Sequence, residues 1–114
     1  MPNNVETIQI IQELNNLNKR LSNAYKEMYK QAELYSEAER NYRIIQRHKI
    51  LELKTAGHPV TLIMELAKGD EQVAELRFQR DLAKGCYETA KESIKSMRSS
   101  LSAYQSILKL QDEI

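Results

Sequence analysis

The sequence predicts an all-α chain: a long antiparallel helical hairpin of the coiled-coil type, with a short helix at its tip, suited to assembly as a dimeric four-helix bundle. Three observations predict it. In the first half, Ile10, Leu14, Leu17, Leu21, Ala24, Met28, Gln31, Tyr35, Ala38, Tyr42 and Ile45 recur at alternating spacings of four and three. In the second half, Val73, Leu76, Arg80, Ala83, Tyr87, Ala90, Ile94, Met97, Leu101, Tyr104 and Leu108 do the same. Each ladder is the buried seam of a coiled coil, and two seams joined by a tight connection fold back on each other. The third observation is composition: three Gly, two Pro, one Phe and no Trp in 114 residues suit long helices better than a β-sandwich.

The elements follow in order within a single domain, residues 1–114. Helix 1 is predicted over about 5–55, with Asn4 as its cap and Glu6 complementing the positive end of the helix dipole. Lys54 sits in its last turn, Gly57 is placed for the left-handed terminating conformation, and Pro59 cannot continue the helix. The tip helix is predicted over about 59–67, with proline in its first turn and Gly69 at its end. Its apolar residues Val60, Leu62, Ile63, Met64 and Leu66 are expected to fold back against Ile50, Leu51, Leu53, Val73 and Leu76. Within that group, Val60, Leu62, Ile63 and Leu66 form a candidate partner surface. Helix 3 is predicted over about 71–111, capped by Asp70.

In an antiparallel pair, facing residue numbers add to a constant. A total of 125 sets Tyr42 on Ala83, Ala38 on Tyr87 and Tyr35 on Ala90, so that large rings meet small alanines. It also sets Arg80 opposite Ile45, with Glu75, Asp81 or Glu52 as candidate partners. Totals of 118 and 132 preserve the heptads with fewer such matches.

Two helices bury only a narrow stripe, so apolar residues off the seam need another destination. On helix 3, Phe78, Leu82, Gly85 and Cys86 begin an outer face that continues through Thr89, Ser93, Ser96, Ser99, Ser100, Ala103, Ser106 and Leu110. On helix 1, Ile8, Ile11, Tyr25, Tyr29, Leu34 and Ile44 lie off the seam. Phe78, Leu82, Gly85, Cys86, Ile44 and Leu51 are therefore the candidate oligomer interface, and a homodimer is the simplest closed assembly.

Seventeen basic and sixteen acidic side chains leave a net charge of +1, which excludes a strong uniform field for polyanions. Local patches remain. Arg40, Arg43, Arg47 and Lys54 share the outer face of helix 1 and are the candidate nucleic-acid contacts. Arg77, Lys84, Lys91 and Arg98 repeat every seven residues beside the second seam. Charged seam flanks are ordinary in coiled coils, so nucleic-acid binding is the alternative reading rather than the first.

No phosphate-binding glycine loop, Cys-x-x-Cys or His-Glu-x-x-His spacing occurs, so neither a catalytic site, a metal site nor a cofactor is expected. His48 and His58 lie near the tip without a supporting ligand set. The lone Cys86 fits a reducing compartment. With no signal-peptide pattern and no membrane-length apolar run, a cytoplasmic protein with no membrane association is expected.

The run from Leu66 to Leu108, with its Ala67-Lys68-Gly69-Asp70 turn followed by Ala74-Glu75-Leu76-Arg77-Phe78, resembles the C-terminal half of short all-helical proteins of unassigned function encoded by tailed phages and prophages of Gram-positive bacteria. The resemblance implies a source and a mode of action. Such proteins act by binding a host or phage protein, as anti-defence inhibitors or replication accessories do, in the host cytoplasm. The expected function is a non-catalytic protein–protein interaction module whose partner the residues do not name.

Overall fold

The structure, a computed structural model, describes residues 4–113. It is all-α: α1 (Asn4–Thr55), α2 (Val60–Lys68) and α3 (Glu71–Glu113). The long helices run antiparallel and α2 forms the tip between them, which is the helical hairpin that the two ladders predict. The expected Asn4 cap lies outside the described side chains.

The connections explain why the helices stop where they do. Gly57 has φ 86°, its N–H donates to the Lys54 carbonyl at 3.1 Å, and the His58 N–H donates to the Leu53 carbonyl at 3.2 Å. These two bonds are the Schellman closure, which uses carbonyls that the end of α1 leaves unpaired. Pro59 follows as the N-cap of α2, with ψ 135°, one residue ahead of its expected place inside the first turn. The Gly69 N–H donates to the Glu65 carbonyl at 3.1 Å and the Asp70 N–H to the Ala67 carbonyl at 3.2 Å, while Gly69 keeps a right-handed φ. Asp70 then caps α3, its carboxylate accepting from the Val73 N–H at 3.1 Å.

The chain divides into two compact units. The first takes α1 up to Tyr29 and α3 from Glu88; the second is Lys30–Tyr87. In the first, Leu17 and Ile94 are buried and the other ladder positions are half-buried. In the second, Tyr42, Leu53, Ile63, Ala67 and Val73 are buried. Leu53, Ile63 and Ala67 form one cluster with Ile50 packed against it, so α2 folds back on the end of α1. Every residue of both predicted ladders is buried or half-buried.

Two expectations change. Ile63, placed on the candidate tip surface, is 6% exposed and belongs to this cluster, because it is the α2 residue that meets Leu53. Leu51, expected beneath the tip, is instead 48% exposed. The pairing register also slides. Contacts between α1 and α3 join residues whose numbers total 118 to 122: Thr7–Gln111, Glu39–Arg80, Lys49–Asp70, Tyr35–Tyr87 and Tyr42–Arg80. Three lie nearer the 118 alternative, and the two aromatic contacts, at 122, lie nearer the expected 125. Ring therefore meets ring, Tyr35 against Tyr87 with centroids 6.1 Å apart, where ring on alanine was expected. In this alignment the Arg80 charge meets the Glu39 carboxylate and the Tyr42 ring across the hairpin.

The two glycines used differently in this fold should respond oppositely to alanine. Gly57→Ala forces a side chain into a left-handed conformation and should destabilise the chain by about 1–2 kcal/mol. Gly85 lies within α3 with nothing near the position of an added Cβ, so Gly85→Ala should stabilise the isolated chain by up to ~1 kcal/mol. Denaturant melts of both variants at low protein concentration check this, and a matching sign for the two would contradict it.

Candidate interaction surfaces

Arg80 organises the charged part of the second unit. Its guanidinium lies 4.5 Å from the centre of the Tyr42 ring, donates to Glu39 at 3.2 Å and to Asp81 at 2.8 Å. Tyr42 is buried and its hydroxyl accepts from the Gln46 amide at 3.1 Å. Burial works against the Arg80 charge, and the bonds to Glu39 and Asp81 outweigh it, so its pKa is raised. Arg43 bonds Glu39 from the same helix and, with Arg80 adding to it against the effect of burial, holds that carboxyl below its usual range. Of the Arg80 partners expected from the sequence, Asp81 is found; Glu39, contributed across the hairpin, is the addition.

The tip is tied by a second cross-helix pair. Lys49 Nζ lies 3.4 Å from the Asp70 carboxylate. The Val73 N–H first, then Lys49, lowers the Asp70 pKa in spite of some desolvation.

Three groups of exposed apolar side chains coincide with the expected surfaces, while Val5, Ile8, Ile11, Tyr29, Leu34, Ile107 and Leu110 are exposed elsewhere on the long helices. On the outer side of α3, Phe78 is 61% and Leu82 59% exposed, with Gly85 and the free thiol of Cys86 beside them, also exposed. On α1, Ile44 and Leu51, one heptad apart, are exposed on the flank away from Glu39. On α2, Val60, Leu62, Met64 and Leu66 face outward while Ile63 and Ala67 face in. The candidate oligomer residues are thus all accessible, and three of the four candidate tip residues are.

The basic face of α1 carries acids of its own. Arg40, Arg43, Arg47 and Lys54 are all exposed, but Arg43 is paired with Glu39 and Arg40 shares a shallow hollow with Glu33 and Glu37. That mixture weakens the local field a phosphate backbone would need.

A groove in the first unit escaped the sequence reading. It holds about 430 Å³ between the Tyr25–Met28 part of α1 and the Lys91–Ser102 part of α3. The heptad repeat singles out Lys91 and Arg98, and Tyr25 is among the apolar residues expected off the seam; Lys95 joins them only once the pairing of the helices is known. Among the described residues, no group of three His, Cys, Asp or Glu side chains is placed to hold a metal ion. No described helix is long and apolar enough to cross a membrane.

No family model matches the chain, and no curated protein or solved structure matches it either.

Both lowered carboxyl groups make the second unit acid-sensitive in one direction. A carboxylate with a folded pKa below its unfolded one adds stability above the unfolded value and loses it as pH falls through the folded value. With ordinary values of 4.5 for Glu39 and 3.8 for Asp70, stability should hold above about pH 5 and drain away below pH 4.5. Glu39→Gln/Asp70→Asn should flatten that part of a thermal-midpoint-against-pH curve; an unchanged slope would contradict the assignment. A double-mutant cycle between Glu39→Gln and Arg80→Met should also show a coupling of about 0.5–1 kcal/mol.

Proposed function

We propose that this chain is a non-catalytic helical interaction module that forms a two-fold homodimer and presents a rigid helical surface to a protein partner, as a phage-encoded anti-defence inhibitor or replication accessory would in the host cytoplasm. The observation that carries the proposal is the outer side of α3, where Phe78 and Leu82 stand in water next to a glycine that the chain's own packing does not require. A glycine inside a helix costs ~1 kcal/mol against alanine. Close approach of a second helix backbone gives that cost a purpose, and two large apolar side chains flanking the point of approach supply contact area.

The surface account points the same way. The chain exposes 8537 Å², whereas a compact monomer of its mass exposes roughly 6,450 Å². A second copy is the occupant that fits best, because a two-fold axis turns the same patch into both halves of the interface. Ile44 and Leu51, on the flank of α1 opposite Glu39, and Leu82 with Cys86, on the flank of α3 opposite Lys84, extend it.

Light scattering at tens of micromolar should give twice the mass of the chain, and Phe78→Glu should return it to the single-chain mass with helicity retained. Gly85→Ala should weaken the dimer while stabilising the monomer, a combination that a purely solvent-facing glycine would not produce. A stable wild-type monomer at that concentration would overturn the dimer. Titration with labelled single- and double-stranded DNA at two salt concentrations should show at most weak, salt-abolished binding. Tight binding lost in an Arg40, Arg43, Arg47 triple-alanine variant would transfer the function to nucleic acid.

A further inference from the structure

The groove of the first unit has a chemistry that the dimer face lacks. Its floor is Met28 and the buried Ile94, its wall is Tyr25, and its rim carries Lys91, Lys95 and Arg98. No carboxylate lines it. Lys91 lies 3.4 Å from Glu88 of its own helix, while among the described residues neither Lys95 nor Arg98 makes an ion pair. Lys91 and Lys95 are four residues apart, the spacing at which like charges on a helix repel. Three cations are thus held around an apolar floor that the hairpin leaves open.

We infer that this groove receives an acidic amphipathic helix of a protein partner. The inference rests on the reading of the chain as a protein-binding module and names the surface and the class of partner. From Lys91 to Ser102 the groove follows α3 for about 16 Å, or three helical turns, more than a single phosphate group needs. A helix with apolar residues at i, i+3 or i+4, and i+7 would cover Met28 and Ile94, and Asp or Glu beside them would meet the rim. A phosphate ligand would satisfy the rim alone and leave the floor wet. Charge complementarity of this kind fixes orientation and speeds association, and it is sensitive to salt.

A displayed library of random 16-residue peptides selected against the full wild-type chain tests this. Enriched peptides are expected to carry an excess of Asp and Glu with helical apolar spacing. Their affinity should fall on the order of tenfold for Lys95→Glu/Arg98→Glu, fall less for Lys95→Gln/Arg98→Gln and for Tyr25→Ala, and stay unchanged for Arg40→Glu/Arg47→Glu. Circular dichroism of each variant confirms that the helices persist, and the glutamine pair serves if the glutamate pair unfolds. Peptides without acidic excess, or binding indifferent to both pairs, would overturn the groove while leaving protein binding through another face intact. Failure to enrich any peptide would overturn it too, and the light-scattering result would stand apart. A labelled single-stranded oligonucleotide that binds more tightly than the peptides and depends on Lys95 and Arg98 would overturn it in favour of a polyanion.

Discussion

A charge on a half-buried seam can be tolerated only where acceptors meet it, and that constraint on Arg80 organises the hairpin. A coiled coil built from leucine, alanine and tyrosine has several registers of similar packing energy, because dispersion contacts are small and non-directional. A guanidinium is directional. Away from Glu39 and the Tyr42 ring it would lose its acceptors while remaining partly desolvated. Arg80 therefore distinguishes between alignments that the apolar residues alone would leave close in energy, as polar seam residues do in other coiled coils. Asp70 has the same logic at the tip. One carboxylate caps α3 and also receives Lys49 from α1, so the start of one helix is fixed against the end of the other.

The architecture was legible because it depends on period and punctuation. Ladder positions such as Leu17, Tyr42, Val73 and Ile94 announce burial through spacing alone, and Gly57, Pro59, Gly69 and Asp70 mark the breaks through backbone preferences that need no tertiary information. The alignment of the helices was not legible to the same degree. Matching rings to alanines weighs volume and leaves out the hydrogen-bonded charge of Arg80, for which the sequence offers Glu75, Asp81 and Glu52 as acceptors; the fold uses Asp81 and adds Glu39 from across the hairpin. The groove was illegible for a related reason. Tyr25 and Lys95 are ordinary helix-surface residues until α1 and α3 are set side by side. Ile63 shows the limit of composition: Val60, Leu62, Ile63, Met64 and Leu66 are all apolar, and only the contact with Leu53 sorts the inward residue among them from the outward ones.

Surface chemistry divides the functional possibilities by flank. The side of α3 bearing Phe78 and Leu82 is apolar and small-residued from Phe78 to Cys86, with the exposed acids Glu75 and Asp81 beside it; the side bearing Lys91, Lys95 and Arg98 is cationic over an apolar floor. The acids around Arg40 and Arg43 temper the remaining basic face.

The two cross-hairpin ties nearest to and farthest from the tip differ greatly in the loop each closes. Lys49 and Asp70 are 21 residues apart in the chain, whereas Thr7 and Gln111 are separated by 104. Closing a long loop is entropically costly unless shorter ones inside it have already formed. On loop-closure entropy alone, the tie beside the tip is the less costly of the two to form. Chains clipped back at both extremities would shed their outermost rungs first and still keep the guanidinium clasp.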